Sequence, residues 1–152
     1  YTSDEVYLWA LKEVVSPLLE AFRPDALVTQ LGIDSHYLDP ITHLALTVQG
    51  FEQAVQELAR HAPPRWLALG GGGYNLQAVP RAWTVAYGVI SEQEFDNAIP
   101  EPYRERRGVA DLRDSDAPAI ADTVRNETRA FAEASVQAVH RLIFPAHGLR
   151  TA

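Results

Sequence analysis

Two short stretches hold most of the residues that could do chemistry. The first is LGIDSHYLDPITH, residues 31–43, which gathers Asp34, His36, Asp39 and His43. Carboxylate and imidazole without cysteine suit zinc or another divalent cation, and an Asp-x-His pair such as Asp34 and His36 could chelate together in an extended segment. Taken singly, Asp39 reads as a turn residue before Pro40, and His36 and His43 read as residues of a loop rim. Asp34 stands apart because it follows an apolar run directly, where an uncompensated carboxylate is costly. A metal or a charged partner is its best explanation.

The second stretch is WLALGGGGYNL, residues 66–76. A phosphate-binding P-loop needs Gly-Lys-Ser/Thr after its spacer, but Gly73 is followed by Tyr74 and Asn75. The dinucleotide fingerprint needs a third glycine where Asn75 stands. Both nucleotide patterns therefore fail. A tight turn from strand to helix asks for one or two glycines with positive φ, whereas four in a row indicate backbone passing close to another group. Tyr74 could be a core aromatic with a satisfied hydroxyl, but its place at the end of a buried strand favours a role in a site. No serine sits in a nucleophile elbow and cysteine is absent, which sets aside covalent acyl transfer through either residue.

The elements that must position these loops are legible from periodicity. Residues 2–22 place Val6, Leu11, Val14, Val15, Leu18, Leu19 and Phe22 at near-helical spacing, with a capping box from Thr2 and Glu5 and a bend at Pro17. Residues 24–32 and 65–69 are short apolar runs of the kind found in buried parallel strands. Between them, residues 47–62 put Phe51, Ala54, Val55, Leu58 and Ala59 on one face behind a Thr47 cap. Residues 79–90 form a third helix, and 118–143 a last one through Ile120, Val124, Phe131, Val139 and Leu142. Such alternation predicts an α/β fold with helices covering a parallel sheet. Ligand sites in these sheets lie at the carboxyl ends of the strands, so the two loops converge. Two strands alone leave unpaired edges, which points to part of a larger domain and to association between copies through those edges.

Bulk properties narrow the partners. The chain has 152 residues, 47% of them hydrophobic, and a net charge of -7. An acidic chain of this kind lacks the positive field that nucleic-acid binding needs. No apolar run approaches a membrane span, and the start has no secretory signal, so neither nucleic acid nor membrane is an expected partner. The absence of cysteine suits a reducing cytoplasm.

VTQLGIDSHYLDPITHLALT, followed by LALGGGGYN and PRAWT, closely resembles the C-terminal half of the zinc-dependent histone deacetylase superfamily, with the bacterial acetoin-utilisation branch the best likeness. The likeness runs from Thr2 to Tyr103. It implies residues 1–103 as the C-terminal part of a three-layer, arginase-like α/β domain; beyond the likeness, mixed charge makes 104–117 an irregular charged linker, and the return of helical spacing makes 118–152 a C-terminal helix and tail. The likeness further implies Asp34 as one of three zinc ligands and Tyr74 as the hydroxyl that polarises the acetyl carbonyl. Gly72 and Gly73 would let the acyl chain pass against bare backbone, and Pro40 and Ile41 would line the acyl-lysine tunnel. The implied substrate is an acetylated lysine or a related acetylated amine, and the implied partner is the N-terminal half of the same protein. By this reading zinc belongs to the intact enzyme, is absent or weakly held by this chain, and the chain alone is inactive. A noncatalytic nucleotide- or metabolite-binding module and a self-associating structural fragment are the rival readings.

Overall fold

A computed structural model describes residues 1–116 and 118–150 of the chain. Position 117 of the expected linker and positions 151–152 of the expected tail lie outside the described residues. The elements follow in the order α1 (Asp4–Phe22), β1 (Leu27–Gln30), α2 (Val48–His61), β2 (Trp66–Leu69), α3 (Ala78–Ser91), α4 (Glu101–Arg107) and α5 (Asp122–Leu142), with a short 3₁₀ turn at Phe144–His147.

Strands β1 and β2 pair in parallel, with Leu27 opposite Trp66 and Gln30 opposite Leu69. One face of this ribbon carries Thr29, Trp66 and Ala68 toward α2 and α3, where Leu31, Ile33, Val48, Phe51, Val55, Ala82, Val85 and Ala86 make a continuous core. The expectation of strands buried on both faces is not met among the described residues. Val28 and Leu67, opposite one another in register, are 61% and 55% exposed, and Leu69 shares their open face. The ribbon is thus covered on one side only, and a third layer is not seen among these residues.

Helix α1 begins one residue later than a Thr2 cap would require. Ser3 occupies the cap position without a side-chain cap bond, because residues 2 and 3 are drawn into a short parallel pairing with Ala45. The helix then runs unbroken through Pro17. Proline has no N–H to offer the carbonyl of Glu13, one turn back. His140 of α5 donates its Nε2–H to that carbonyl at 2.9 Å instead. Arg129, also on α5, lies over the Trp9 ring at 4.0 Å, a cation–π contact that fastens the same helix pair.

Helix α2 starts where several groups meet. The Thr47 hydroxyl accepts from the Gly50 N–H at 3.0 Å, as the cap assignment requires, and donates to Asp4 at 2.6 Å. Asp4 also accepts the Thr47 N–H, and Asp114 accepts the Val48 N–H at 2.7 Å. Two carboxylates thus satisfy donors that a helix start leaves unpaired, and both sit where the helix dipole favours negative charge.

Residues 104–116 are less irregular than their mixed charge suggested. Residues 104–107 complete α4, and the chain then turns back across the ends of α2 and α3. Ile99 and Leu112 enter the core, Ala98 and Asp111 pair as an antiparallel bridge, and Arg113 makes a bidentate ion pair with Glu52. The Arg113 and Glu52 charges can be drawn toward the core because each is the other's partner.

Candidate active site

Both candidate loops emerge at the carboxyl ends of the paired strands, and the ladder continues past the strands to join them. Leu31 N–H donates to Leu69 O at 2.8 Å, and Ile33 N–H donates to Gly72 O at 2.7 Å. Backbone of the glycine loop therefore lies directly against the Gly32–Asp34 segment. The glycines are there for this close approach. A Cβ on Gly72 would run into the Asp34 carboxylate, and one on Gly71 into the Gln30 amide. Gly73 has φ +144°, and a Cβ on it would come within 2.8 Å of both Ile33 Cγ2 and Val79 Cγ2. The close neighbour anticipated from four glycines is the Asp34 loop itself.

The Asp34 carboxylate sits half-buried beside Gly72 and has no hydrogen-bond partner among the described residues. Its backbone carbonyl is held by the Thr42 hydroxyl. Tyr74 is 54% exposed, and its hydroxyl likewise has no partner among the described residues. Two groups suited to act on a ligand are thus presented by adjacent loops with their chemistry uncommitted.

Asp39 ties those loops together. One carboxylate oxygen accepts the N–H groups of Ile41 and Thr42 at 2.9 and 3.3 Å, and the other accepts the Tyr74 N–H at 2.9 Å. Asn75 adds a second tie by donating to Leu38 O at 3.1 Å. Its side-chain oxygen accepts the Gln77 and Ala78 N–H groups, both at 2.9 Å, and so starts α3. Sequence reasoning placed Asp39 as a turn residue, which it is, and missed the longer reach. The Asp-Pro pair signalled only the local turn. Pro40 and Ile41 stand exposed on the same loop, so all six residues expected at the site, Asp34, Gly72, Gly73, Tyr74, Pro40 and Ile41, belong to this one pair of joined loops.

The two histidines of the first loop go elsewhere. His43 is exposed, edge-on to the Tyr1 ring at 5.8 Å between centroids. His36, expected on a rim, is fully buried. Its Nδ1 accepts the Leu38 N–H at 3.2 Å, so the ring proton is on Nε2, which donates to Asp114 Oδ2 at 3.0 Å. The other Asp114 oxygen accepts from Arg81 at 2.9 Å, and the Arg81 Nε–H reaches Gln77 O at 2.9 Å. Burial pushes the Asp114 carboxyl up. Hydrogen bonds from His36 and Val48 and the charge of Arg81 together outweigh that and hold it below the usual carboxylate range. Sequence reasoning passed over Asp114, which lies in a stretch that reads as solvated charge.

Of the four candidate metal donors, Asp39 is occupied by backbone amides and His36 by Asp114, and His43 stands exposed against the Tyr1 ring, which leaves Asp34 as the uncommitted donor beside the glycine loop. Among the described residues no group of three or more His, Cys, Asp or Glu is arranged to hold a metal. A catalytic zinc takes three protein ligands and an open position. A free carboxylate beside bare backbone fits one of those ligands, and these residues do not furnish the rest. Nor does the glycine loop suit a phosphate, because the side chain against Gly72 is itself an anion. Among the described residues no helix is long and apolar enough to cross a membrane.

Comparison with known proteins is consistent with this geometry. Residues 1–90 match the family described as "Histone deacetylase domain". The chain is 37% identical over 107 residues to the acetoin utilization protein AcuC of Staphylococcus xylosus, covering 66% of this chain and 28% of that protein. Against AcuC of Bacillus subtilis (strain 168) it is 38% identical over 89 residues, 55% of this chain and 23% of the relative. Against AcuC of Staphylococcus aureus (strain MRSA252) the figures are 36% over 102 residues, 64% and 26%. The chain thus spans about a quarter of the length of the curated relatives it matches.

Proposed function

The chain belongs to the histone deacetylase family and aligns with its acetoin-utilisation branch, and from that premise we propose that it supplies one zinc ligand and the oxyanion-stabilising tyrosine of a deacetylase acting on acetylated lysine or a related acetylated amine. The observation that carries the reading is the pairing of an uncommitted Asp34 carboxylate with an uncommitted Tyr74 hydroxyl on two loops that share backbone and side-chain hydrogen bonds. Bound zinc would supply a Lewis acid for the amide carbonyl and would acidify a water.

This chain's own contribution is one of placement. Asp34 offers its carboxylate toward the metal position. Tyr74 donates its hydroxyl to the oxygen on which negative charge grows as the amide is attacked. The Gly72–Gly73 backbone leaves room for the acyl chain, and Pro40 and Ile41 wall its path. The remaining zinc donors and the general base lie in a part of the protein outside these 152 residues, whose strands would extend the sheet at its edges and whose helices would cover the open face of β1 and β2. The intact enzyme works in the cytoplasm.

In the full-length protein that carries this chain, Tyr74→Phe should leave metal content unchanged and lower kcat roughly a hundredfold, the scale of one lost oxyanion donor. Asp34→Ala should lower metal content. Equal zinc loss in both variants would overturn these assignments. The 152 residues by themselves should release no acetate from an acetyl-lysine peptide, and chelator-sensitive hydrolysis by them would refute the division of labour. The unpaired strand edges and the exposed apolar face of Val28, Leu67 and Leu69 favour a second reading for the chain in isolation, self-association through the sheet's edges, seen by light scattering as a dimer or larger species.

A further inference from the structure

Asp114 lies outside the residues that match the family, 1–90, yet it is bonded to both loops' supports. Its side chain is buried, and its two oxygens accept from His36, Val48 and Arg81 at 3.0, 2.7 and 2.9 Å. Its backbone trades hydrogen bonds with the Gln49 side chain at 3.0 and 3.2 Å, which fixes the carboxylate itself. Two of these bonds lead toward the site loops, through His36 and through Arg81, while the Val48 bond serves the start of α2. His36 is two positions beyond Asp34, and its neighbours Ser35 and Tyr37 are held by Leu46 backbone at 3.1 and 2.9 Å. Arg81 holds Gln77 O, three positions beyond Tyr74, at the start of α3.

We infer that Asp114 is a positioning residue for Asp34 and Tyr74, acting through His36 on one loop and through Arg81 on the other. The inference rests on the site proposed above. Removing the carboxylate would leave a buried guanidinium without its counter-charge and a buried imidazole N–H without its acceptor, so both anchors would repack. Displacement is then shared by two loops that must meet within a fraction of an ångström, and small misplacements of reacting groups cost rate far more than they cost binding.

The test compares Asp114→Asn, Asp114→Glu and a neighbouring control, Arg113→Gln, in the full-length protein carrying this chain. Arg113 pairs with Glu52 and touches neither loop. The first readout is the Tyr74 backbone amide resonance in 15N-labelled protein, well below the thermal midpoint. Because that N–H is bonded to Asp39, it reports loop register directly. Asp114→Asn should move it, Asp114→Glu should move it less, and Arg113→Gln should leave it in place. The second readout is hydrolysis of an acetyl-lysine peptide, where Asp114→Asn should lower kcat roughly ten- to hundredfold and leave KM within about twofold, with partial recovery in Asp114→Glu.

A lower thermal midpoint with unchanged Tyr74 resonance and kcat would overturn the inference and leave Asp114 a purely structural residue. Should Asp114→Asn fail to fold, Arg81→Lys replaces it. That variant keeps a charge beside Asp114 but gives up the bond to Gln77, and an unmoved Tyr74 resonance there would equally refute the inference. If the wild type hydrolyses no acetylated substrate, the proposed reaction falls, while the resonance still decides whether Asp114 sets the loops.

Discussion

Replacing Gly72 and Gly73 with alanine, one at a time, should separate stability from function. A methyl on Gly73 faces two penalties. Its φ of +144° lies where L-residues are strained, at about 1–3 kcal/mol. Its Cβ would also press on Ile33 Cγ2 and Val79 Cγ2 at 2.8 Å, and Ile33 is fully buried in the core, so overpacking adds about 1–3 kcal/mol. The expected loss is about 2–6 kcal/mol, a large share of a typical domain's total stability.

At Gly72 the methyl meets only the carboxylate end of Asp34, a side chain without a hydrogen-bond partner among the described residues. That carboxylate can swing away at the cost of an unfavourable rotamer, about 0.5–1.5 kcal/mol. The swing removes it from the position proposed for metal binding. Urea unfolding should therefore show a large fall in midpoint for Gly73→Ala and a small one for Gly72→Ala. Metal analysis of the full-length protein should show the Gly72→Ala variant folded but depleted of zinc. Equal stability losses, or a Gly72→Ala protein with full metal content, would refute this account of the glycine loop.

Two other predictions concern the frame. Glu57 is held below the usual carboxylate range by the hydrogen bond from Ser16, against the opposing effect of burial and with help from His61 and Arg60. A depressed folded pKa means that its contribution is present above the unfolded value of about 4.3 and is lost as pH falls through the folded one. Urea midpoints measured from neutral to acid pH should thus fall less steeply for Glu57→Gln below about pH 4.3, and an unchanged acid limb would contradict this. His140→Ala should cost about 1–3 kcal/mol by orphaning the Glu13 carbonyl. Pro17→Ala restores a helical N–H for that carbonyl, so the His140→Ala penalty should shrink in the Pro17→Ala background; additive effects in the double-mutant cycle would rule the compensation out.

Much of the frame was readable because its signals are local. The helix–strand–helix–strand–helix order, the Thr47 cap and the parallel pairing follow from periodicity and capping chemistry within windows of a few residues. The displaced start of α1 and the one-sided burial of the ribbon were not readable, since each depends on what another segment does: Ala45 draws residues 2 and 3 aside, and an apolar run says how greasy a strand is, not which of its faces is covered.

The candidate site divides the same way. The sequence by itself determined which groups could do chemistry, since Asp34 after an apolar run and Tyr74 after four glycines are matters of residue type and order. Only the tertiary structure decided which of the neighbouring polar residues were available. It committed Asp39 to the Tyr74 amide across 35 residues, buried His36 against Asp114 across 78, and set the Asp34 carboxylate where a Gly72 side chain would stand. The physical reason is that a carboxylate's or an imidazole's role is fixed by the partner that satisfies it when water is excluded. Such partners are supplied by the fold at separations that no local pattern records.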